Sequence, residues 1–216
     1  MDFSYLFEPY DTLISQADEA FNRMTRDFPE CIQCEPHCSD CCHAVFGLFL
    51  VEAAFLRHDF DQLEAAEKEA ALHRSLEADR EAHLLERTLK EFEDDPEMRT
   101  YTMARARIRC PLLNDQDECM LYSYRPITCR VYGIPTMVQG TPRVCGKSGF
   151  KKGIEYPIFN LDGVQRELFR LSNELVVRLD ENASEKASLL FSVSKVLQTP
   201  LETLIREIPE GPDAKT

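Results

Sequence analysis

The sequence predicts a mostly helical domain built around a small, irregular or β, cysteine-rich core. Apolar residues recur at helical spacing through 11–28 and 51–94, which predicts helices. Nine cysteines fall into two turn-rich segments, 31–42 and 110–145, which predict the irregular core. A chain of 216 residues is long enough to bury a core of its own. We therefore predict a single domain over 1–216.

Helices are predicted near both ends of the chain. Leu13, Ala17, Phe21 and Met24 repeat along one face of a helix, so the first helix is expected over 11–28. The C-terminal helices are expected within 161–208, in three segments covering 161–182, 185–197 and 200–208.

The stretch 51–96 is rich in Ala, Glu, Leu, Lys and Arg and predicts one long helix or two joined helices ending near Pro96. Its many charges favour a solvated face, although a face that binds a partner is the alternative. Because the stretch separates the two parts of the cysteine-rich core, 31–50 and 100–150, we interpret it as a helical insertion.

Strict alternation distinguishes residues 100–113. The even-numbered positions are apolar, and three odd-numbered positions are arginines: Ala104, Ala106, Ile108, Cys110 and Leu112 alternate with Arg105, Arg107 and Arg109. This period of two predicts a half-buried strand with Cys110 on its inner side. The three arginines would then form a solvent-facing stripe balanced by nearby acids, or receive an anionic ligand.

The charge balance excludes some partners. Thirty-eight acidic and 25 basic residues give a net charge of -13, which repels nucleic acid and anionic lipid. The start of the chain lacks the features of an export signal. The longest apolar stretch, Ala44 to Leu56, contains Glu52 and is shorter than the roughly 20 residues that span a bilayer. We expect a cytoplasmic protein without nucleic-acid or membrane partners.

Metal ligation or redox chemistry best explains the nine cysteines, because disulfides rarely persist in a reducing compartment. A disulfide framework in an exported chain is the alternative. Five thiols form the pattern CxxCxxxCxxCC: Cys31, Cys34, Cys38, Cys41 and Cys42. Spacings of two or three residues let a turn direct two thiolates at one ion. Small buried hydrophobic side chains are the other explanation.

Four further cysteines follow at wider spacing: Cys110, Cys119, Cys129 and Cys145. Nine thiols could fill two four-thiolate sites with one left over, or one site with several bystanders. In extended backbone the adjacent Cys41 and Cys42 would project to opposite sides, so they would face two centres or only one would ligate. His37 and His43 could replace a thiolate, although a polar residue in an exposed turn needs no such role.

Three motifs surround these cysteines: Cys38-x-x-Cys41-Cys42, Cys110-Pro111-Leu112-Leu113 leading to Cys119, and Tyr122-x-x-Arg125-Pro126-x-x-Cys129-Arg130. In these motifs the chain resembles the YkgJ-type cysteine-cluster family of zinc- or iron-chelating domains, which includes flagellin lysine N-methylases. The resemblance implies metal chelation by the six cysteines within the motifs. Cys31, Cys34 and Cys145 lie outside them, and the remaining helices give no indication of methylase machinery.

Arg125 and Arg130 are the candidate cofactor-binding residues. A guanidinium can neutralise an anionic thiolate cluster and donate to its sulfur or to a nearby carboxylate. Pairing of Arg125 with a surface acid is the alternative. Pro126 fixes the turn that presents Cys129, and Tyr122 is expected to pack.

Zinc and an iron–sulfur cluster both accept four thiolates. The crowding of thiols in one segment favours iron–sulfur ligation over the separated knuckles that structural zinc prefers. The predicted function is metal binding, redox-active or metal-sensing. A metal-dependent protein-modifying enzyme resembling a lysine N-methylase and a zinc-stapled module for a protein partner are the alternatives. GxSxG, GxxxxGK and GxGxxG motifs are absent, so the corresponding hydrolase and nucleotide-binding classes lack support.

Overall fold

The computed structural model describes residues 4–177 and 189–206. Its helices are α1 Ser4–Asp27, α2 Leu50–Phe60, α3 Ala65–Glu91, α4 Pro96–Arg105, α5 Ile127–Val131, α6 Leu161–Val177, α7 Val193–Gln198 and α8 Leu201–Arg206. Its one described sheet is an antiparallel hairpin of β1 Thr136–Val138 and β2 Thr141–Arg143. Short 3-10 turns occupy Pro29–Cys31, Asp40–His43 and Tyr122–Tyr124. The predicted fold class, mostly helical with a small irregular and β core, is confirmed.

Helix α1 buries Leu13, Ala17 and Met24 of the predicted face, together with Tyr10, whereas Phe21 is partly buried against the core. It begins at Ser4, earlier than predicted. Its buried face packs against α5 and α6, and the same core includes side chains from α2. The N-terminal helix therefore supports the segment that carries Cys129.

The predicted helix over 51–96 is divided into α2 and α3. Helix α2 lies in the main core, where Leu50, Leu56 and Phe60 are fully buried. Helix α3 is much more exposed, and its buried positions are Ala71, Ser75 and Ala78. The solvated face predicted for this stretch thus belongs to α3, whereas α2 is a core helix.

The predicted strand over 100–113 is wrong. Helix α4 covers its first half, with Pro96 in the first turn and Asp95 accepting a hydrogen bond from Met98 N at 3.0 Å. The chain then becomes extended and makes a single antiparallel bridge between Arg107 and Ala44. A capped helix start therefore overrides the alternating pattern.

The three arginines of this stretch do not form a stripe. Arg105 donates to the hydroxyl of Tyr101 at 2.7 Å, whereas Arg109 donates to backbone carbonyls within its own loop. Arg107 instead donates to the backbone and carboxylate oxygens of Asp40, both at 2.9 Å. Each guanidinium is thus engaged separately.

The C-terminal helices agree with the prediction over part of their described residues. Of the helix expected over 161–182, residues 161–177 are helical, and 178–182 lie outside the described residues. The next helix starts at Val193, because Phe191 pairs with Leu48 in an extended bridge. Residues 185–188 and 207–208 are also outside the described part. None of the helices in 4–177 and 189–206 is long and apolar enough to cross a membrane.

Candidate metal centre

Backbone pairing brings the two cysteine-rich segments together. The amide of Cys110 donates to the carbonyl of Cys42 at 2.7 Å, and the amide of Ile108 donates to the carbonyl of His43 at 3.0 Å. This pairing begins at Cys42, directly after Cys41. It therefore brings the thiols of Cys41 and Cys42 close to the thiol of Cys110.

A tight loop between Cys110 and Cys119 folds the chain back on itself. The amide of Met120 donates to the carbonyl of Leu112 at 2.9 Å, and Leu113 pairs with Cys119 in an antiparallel bridge. The side chain of Asn114 accepts hydrogen bonds from two amides within the loop and so fixes its turn. Cys119 is thereby returned towards Cys110.

A buried carboxylate positions the helix that carries Cys129. Glu52 is 3% exposed, and its two side-chain oxygens accept hydrogen bonds from Ile127 N and Phe49 N, each at 3.1 Å. One side chain thus satisfies backbone donors at the starts of both α5 and α2. Burial raises the pKa of Glu52 to about 7, although the two backbone hydrogen bonds oppose this shift.

Five thiols line one pocket of about 120 Å³: those of Cys41, Cys42, Cys110, Cys119 and Cys129. Its other walls are mainly apolar and come largely from residues 44–46, 108–112 and 121–126, with Leu56 of α2, part of α3 and residues 192–194. Asp79 of α3 accepts hydrogen bonds from Ser194 at 2.6 Å and from Gln198 at 2.7 Å, which holds α7 against α3. The five thiols therefore face a mostly apolar space.

Burial dominates the acidity of the thiols deepest in this pocket. It raises the pKa of Cys110 to about 12 and that of Cys129 well above its ordinary value. Neighbouring thiols add to both shifts, since Cys41 and Cys119 raise each of them. Such a crowded group of sulfurs becomes stable as thiolates only when a cation binds them.

Cys41 and Cys42 lie in a 3-10 turn rather than in extended backbone, and both line the same pocket. The expectation that they project to opposite sides is therefore wrong. The Cys42 thiol donates a hydrogen bond to Cys41, which lowers the pKa of Cys41 to about 7 and raises that of Cys42. Cys41 is accordingly the most acidic thiol of the pocket.

Arg125 provides a positive charge beside the pocket thiols. Its guanidinium lies 3.5 Å from the centre of the Tyr122 ring, and its Nε donates to the Tyr122 carbonyl at 2.8 Å. Arg125 lines the pocket. Burial raises the pKa of Cys119 and Cys129, and the positive charge of Arg125 opposes that rise; after the Cys42 hydrogen bond, the same charge also helps to lower the pKa of Cys41. Within the described ranges it forms no salt bridge with an acid.

Arg130, the second predicted cofactor-binding residue, instead joins parts of the scaffold. Its side chain is 5% exposed and donates to the Asp18 carboxylate at 2.7 Å, to the Arg125 carbonyl at 2.8 Å and to the Ser123 carbonyl. These bonds connect α5 to α1 and to the turn before it. Its contacts thus hold the backbone that presents Arg125 and Cys129.

Three more cysteines form a second group beside the pocket: Cys34, Cys38 and Cys145. The pKa of Cys34 is raised to about 11, chiefly by burial of its sulfur and in addition by the neighbouring thiols of Cys38 and Cys145. The Cys145 thiol donates to Asp40 Oδ2 at 3.4 Å. Cys34 Sγ lies so close to Gly133 that a β-carbon there would be 2.4 Å from the sulfur.

Cys31 and the two histidines are separate from these groups. Cys31 is 3% exposed and contacts Glu30 at 3.7 Å and the Tyr156 hydroxyl at 4.0 Å. His37 Nδ1 bonds the Gln116 carbonyl at 2.9 Å, and His43 Nδ1 bonds the Ser39 carbonyl at 3.0 Å. Each histidine therefore already has a backbone partner.

The thiols are grouped without forming a ready site for one ion. All nine cysteines are free thiols. Among the described residues, no three Cys, His, Asp or Glu side chains are arranged so that they could hold a single metal ion. The donor set of five sulfurs around a pocket nevertheless suits a thiophilic group larger than one ion.

Sequence reasoning missed three residues that organise this region: Asp40, Glu52 and Gly133. Asp40 could have been considered because it lies between Cys38 and Cys41. Glu52 contacts Ile127, which is 75 positions away, and Gly133 contacts Cys34, which is 99 positions away. The sequence offers no local signal for contacts of this kind.

A family model described as a "putative zinc- or iron-chelating domain", CxxCxxCC, matches residues 33–146. The match covers more than half of the chain and includes the motifs that carry the predicted resemblance. It contains eight of the nine cysteines, and Cys31 lies outside it. No curated protein and no solved structure matches the chain.

Proposed function

This chain belongs to the CxxCxxCC family of zinc- or iron-chelating domains, and we propose that its five-thiol pocket binds an iron–sulfur cluster that is redox-active or senses the supply of metal. The observation that carries this proposal is the convergence of five thiols from three separate segments on one mostly apolar pocket.

The spacing of the thiols favours a cluster over a single zinc ion. In a tetrahedral zinc site with Zn–S bonds of about 2.3 Å, sulfur atoms lie about 3.8 Å apart. No three described donor side chains are arranged to hold one ion. A cluster separates its cysteine ligands by the width of its own iron–sulfide core. Thiols spread around a pocket of about 120 Å³ match that requirement better.

The surroundings of the pocket suit a redox centre. Apolar walls and exclusion of water, together with nearby charge, set the reduction potential of a cluster. Arg125 supplies a positive charge beside Cys41, Cys119 and Cys129 and would offset the negative charge of their thiolates. Four of the five thiols would ligate the cluster, and the fifth would remain beside it.

Free thiols also support a reducing compartment. All nine cysteines are free thiols, so we place the protein in the cytoplasm. The net charge of -13 argues against nucleic acid and anionic membranes as partners. These two points concern location and partners and leave the chemistry of the pocket unaffected.

Cysteine variants test the proposal. Cys129→Ser removes a thiol from the pocket, so we expect loss of most iron, acid-labile sulfide and visible absorption after anaerobic purification. Cys31→Ser is the matched control, because Cys31 is also buried but lies outside the pocket. Equal sulfide content in both variants, or zinc without sulfide in the unmodified protein, would contradict the cluster.

A further inference from the structure

We infer that Arg74 of α3 is a positioning residue for the five-thiol pocket: it joins the two segments that carry Cys110 and Cys119, and its charge favours the reduced state of a cluster bound there. The inference rests on the proposed function, because the effect of the charge requires a redox-active cluster. The three cysteine motifs contain no residue of α3, so the sequence spacing gives this helix no part in the pocket.

Arg74 lies on the side of α3 that packs against the rest of the protein. The buried positions of this helix are Ala71, Ser75 and Ala78, and Arg74 is half-buried among them. Residues three and four positions apart share one face of a helix, so all four side chains face the same way. Ala78 itself lines the five-thiol pocket. A charged side chain on such a face is costly unless it is hydrogen-bonded, so the partners of Arg74 indicate its role.

Arg74 binds the residue that follows each of two pocket cysteines. Its Nε donates to the Pro111 carbonyl at 2.8 Å, and its Nη2 donates to the Met120 sulfur at 3.0 Å. Pro111 comes directly after Cys110 in the chain, and Met120 comes directly after Cys119. The guanidinium is planar and holds its donors at a fixed separation. One side chain therefore fixes the position of both segments relative to each other.

The bonds of Arg74 attach the loop between Cys110 and Cys119 to a helix that is itself held in place. Within the loop, the amide of Met120 donates to the carbonyl of Leu112 at 2.9 Å. That bond closes the loop on itself but does not connect it to the core. Helix α3 is fixed against α7 through Asp79. Arg74 thus supplies the connection between the loop and this pair of helices.

The positive charge of Arg74 acts on the pocket because both of its partners are uncharged. Among the salt bridges of the described residues, none includes Arg74. Burial raises the pKa of Cys110, and the charge of Arg74 is one of the effects that oppose this rise. Reduction adds one electron, and therefore one negative charge, to a cluster. A cation beside a mostly apolar pocket is weakly screened and stabilises that added charge.

Amide hydrogen exchange of the metal-free full chain tests the positioning role. Arg74→Met keeps a long side chain and removes both hydrogen bonds, so peptides covering 110–120 should exchange about fivefold faster. Arg87→Met is the control, because Arg87 is exposed on the same helix; its exchange should match the unmodified chain. Unchanged exchange at 110–120 in Arg74→Met, or an equal increase in both variants, would overturn the inference. If Arg74→Met does not fold, the same comparison is made with Arg74→Lys, which lacks the planar pair of donors.

A redox titration separates the effect of the charge from that of the hydrogen bonds. The anaerobically purified full chain is reduced stepwise with dithionite, and the visible absorption gives the midpoint potential. We expect a lower midpoint in Arg74→Met and a nearly unchanged one in Arg74→Lys, which keeps the charge but not the planar donors. A purely structural role would shift both variants alike. Equal midpoints in the two variants, or no shift in Arg74→Met, would overturn the effect of the charge.

Failure of the inference differs from failure of the proposed function. A chain that holds iron and sulfide, but whose exchange and midpoint are unchanged in Arg74→Met, keeps the cluster and refutes the role of Arg74. A chain that holds neither iron nor sulfide refutes the cluster and, with it, the effect of Arg74 on a potential. Faster exchange at 110–120 in Arg74→Met would then still support the positioning role, and unchanged exchange would refute that role as well.

Discussion

At the scale of single residues, Gly133 determines how closely Cys34 can approach the segment between α5 and β1. A β-carbon at this position would lie 2.4 Å from Cys34 Sγ and 3.2 Å from the Phe21 ring. Because the sulfur ends an exposed side chain, it can move away without disrupting the core. The displacement would take Cys34 away from Cys38 and Cys145.

Gly133→Ala is therefore expected to lower the metal affinity of the cysteine-rich core by about tenfold. The free energy of unfolding of the metal-free protein should change by less than about 1 kcal/mol. Chelator competition and denaturant unfolding measure the two effects. Gly146→Ala is the control, because a β-carbon there meets nothing within 4 Å. Equal metal affinity in both variants would refute the role of Gly133.

Glu52 makes stability depend on pH in a defined window. Its pKa is raised from 4.5 to about 7, chiefly by burial. The folded state therefore holds its proton more tightly than the unfolded chain. The stabilising contribution is full below about pH 4.5 and is lost as pH rises through 7, and the free energy of unfolding falls by about 3 kcal/mol.

Glu52→Gln tests this dependence, because glutamine has nearly the same size and does not ionise. Urea unfolding of the metal-free protein between pH 4.5 and 7.5 should show a smaller decline for the variant. The variant should also be less stable at low pH, since its amide nitrogen cannot accept one of the two backbone hydrogen bonds that Glu52 accepts. Parallel pH curves for the two proteins would show that Glu52 is not the group responsible.

At the scale of elements, Arg130 attaches α5 to α1 and to the turn that holds Arg125. Its guanidinium binds the Asp18 carboxylate and two backbone carbonyls, and its side chain is 5% exposed. Arg130→Met would keep much of the packing and remove all of these bonds. We expect a loss of about 2–3 kcal/mol in the free energy of unfolding, because the carbonyls lose their partners.

The matched control is Arg23→Met on the exposed face of α1. Arg23 pairs with Glu19 at 3.1 Å, and the two side chains are 58% and 73% exposed. A surface pair of this kind contributes at most about 0.5 kcal/mol. Denaturant unfolding measures both variants. A loss for Arg130→Met no larger than that for Arg23→Met would show that Arg130 does not hold α5 in place.

The elements were predicted best where periodicity is long and regular. The burial of Leu13, Ala17 and Met24 follows the spacing seen in the sequence. The strand prediction over 100–113 failed because Pro96 was interpreted only as the end of one helix. Together with Asp95 it is also the start of the next, and a capped N-terminus outweighs a short alternation of alanine and arginine.

At the scale of the whole molecule, the helices serve to bring short irregular segments together. The core includes side chains of α1, α2 and α6, and the cysteine segments pair across its edge. The convergence of the two cysteine segments could be predicted from metal-ligand spacing. Their division into a pocket of five thiols, a group of three and a separate Cys31 depends on contacts between residues about 70 to 115 positions apart, which the sequence pattern does not specify.

The most direct test of the account is the iron, acid-labile sulfide and zinc content of the full chain after anaerobic purification, measured together with its visible spectrum. We predict iron and sulfide in equal amounts, with absorption that bleaches on reduction. Zinc at whole-number stoichiometry with neither sulfide nor visible absorption would contradict a cluster in the five-thiol pocket.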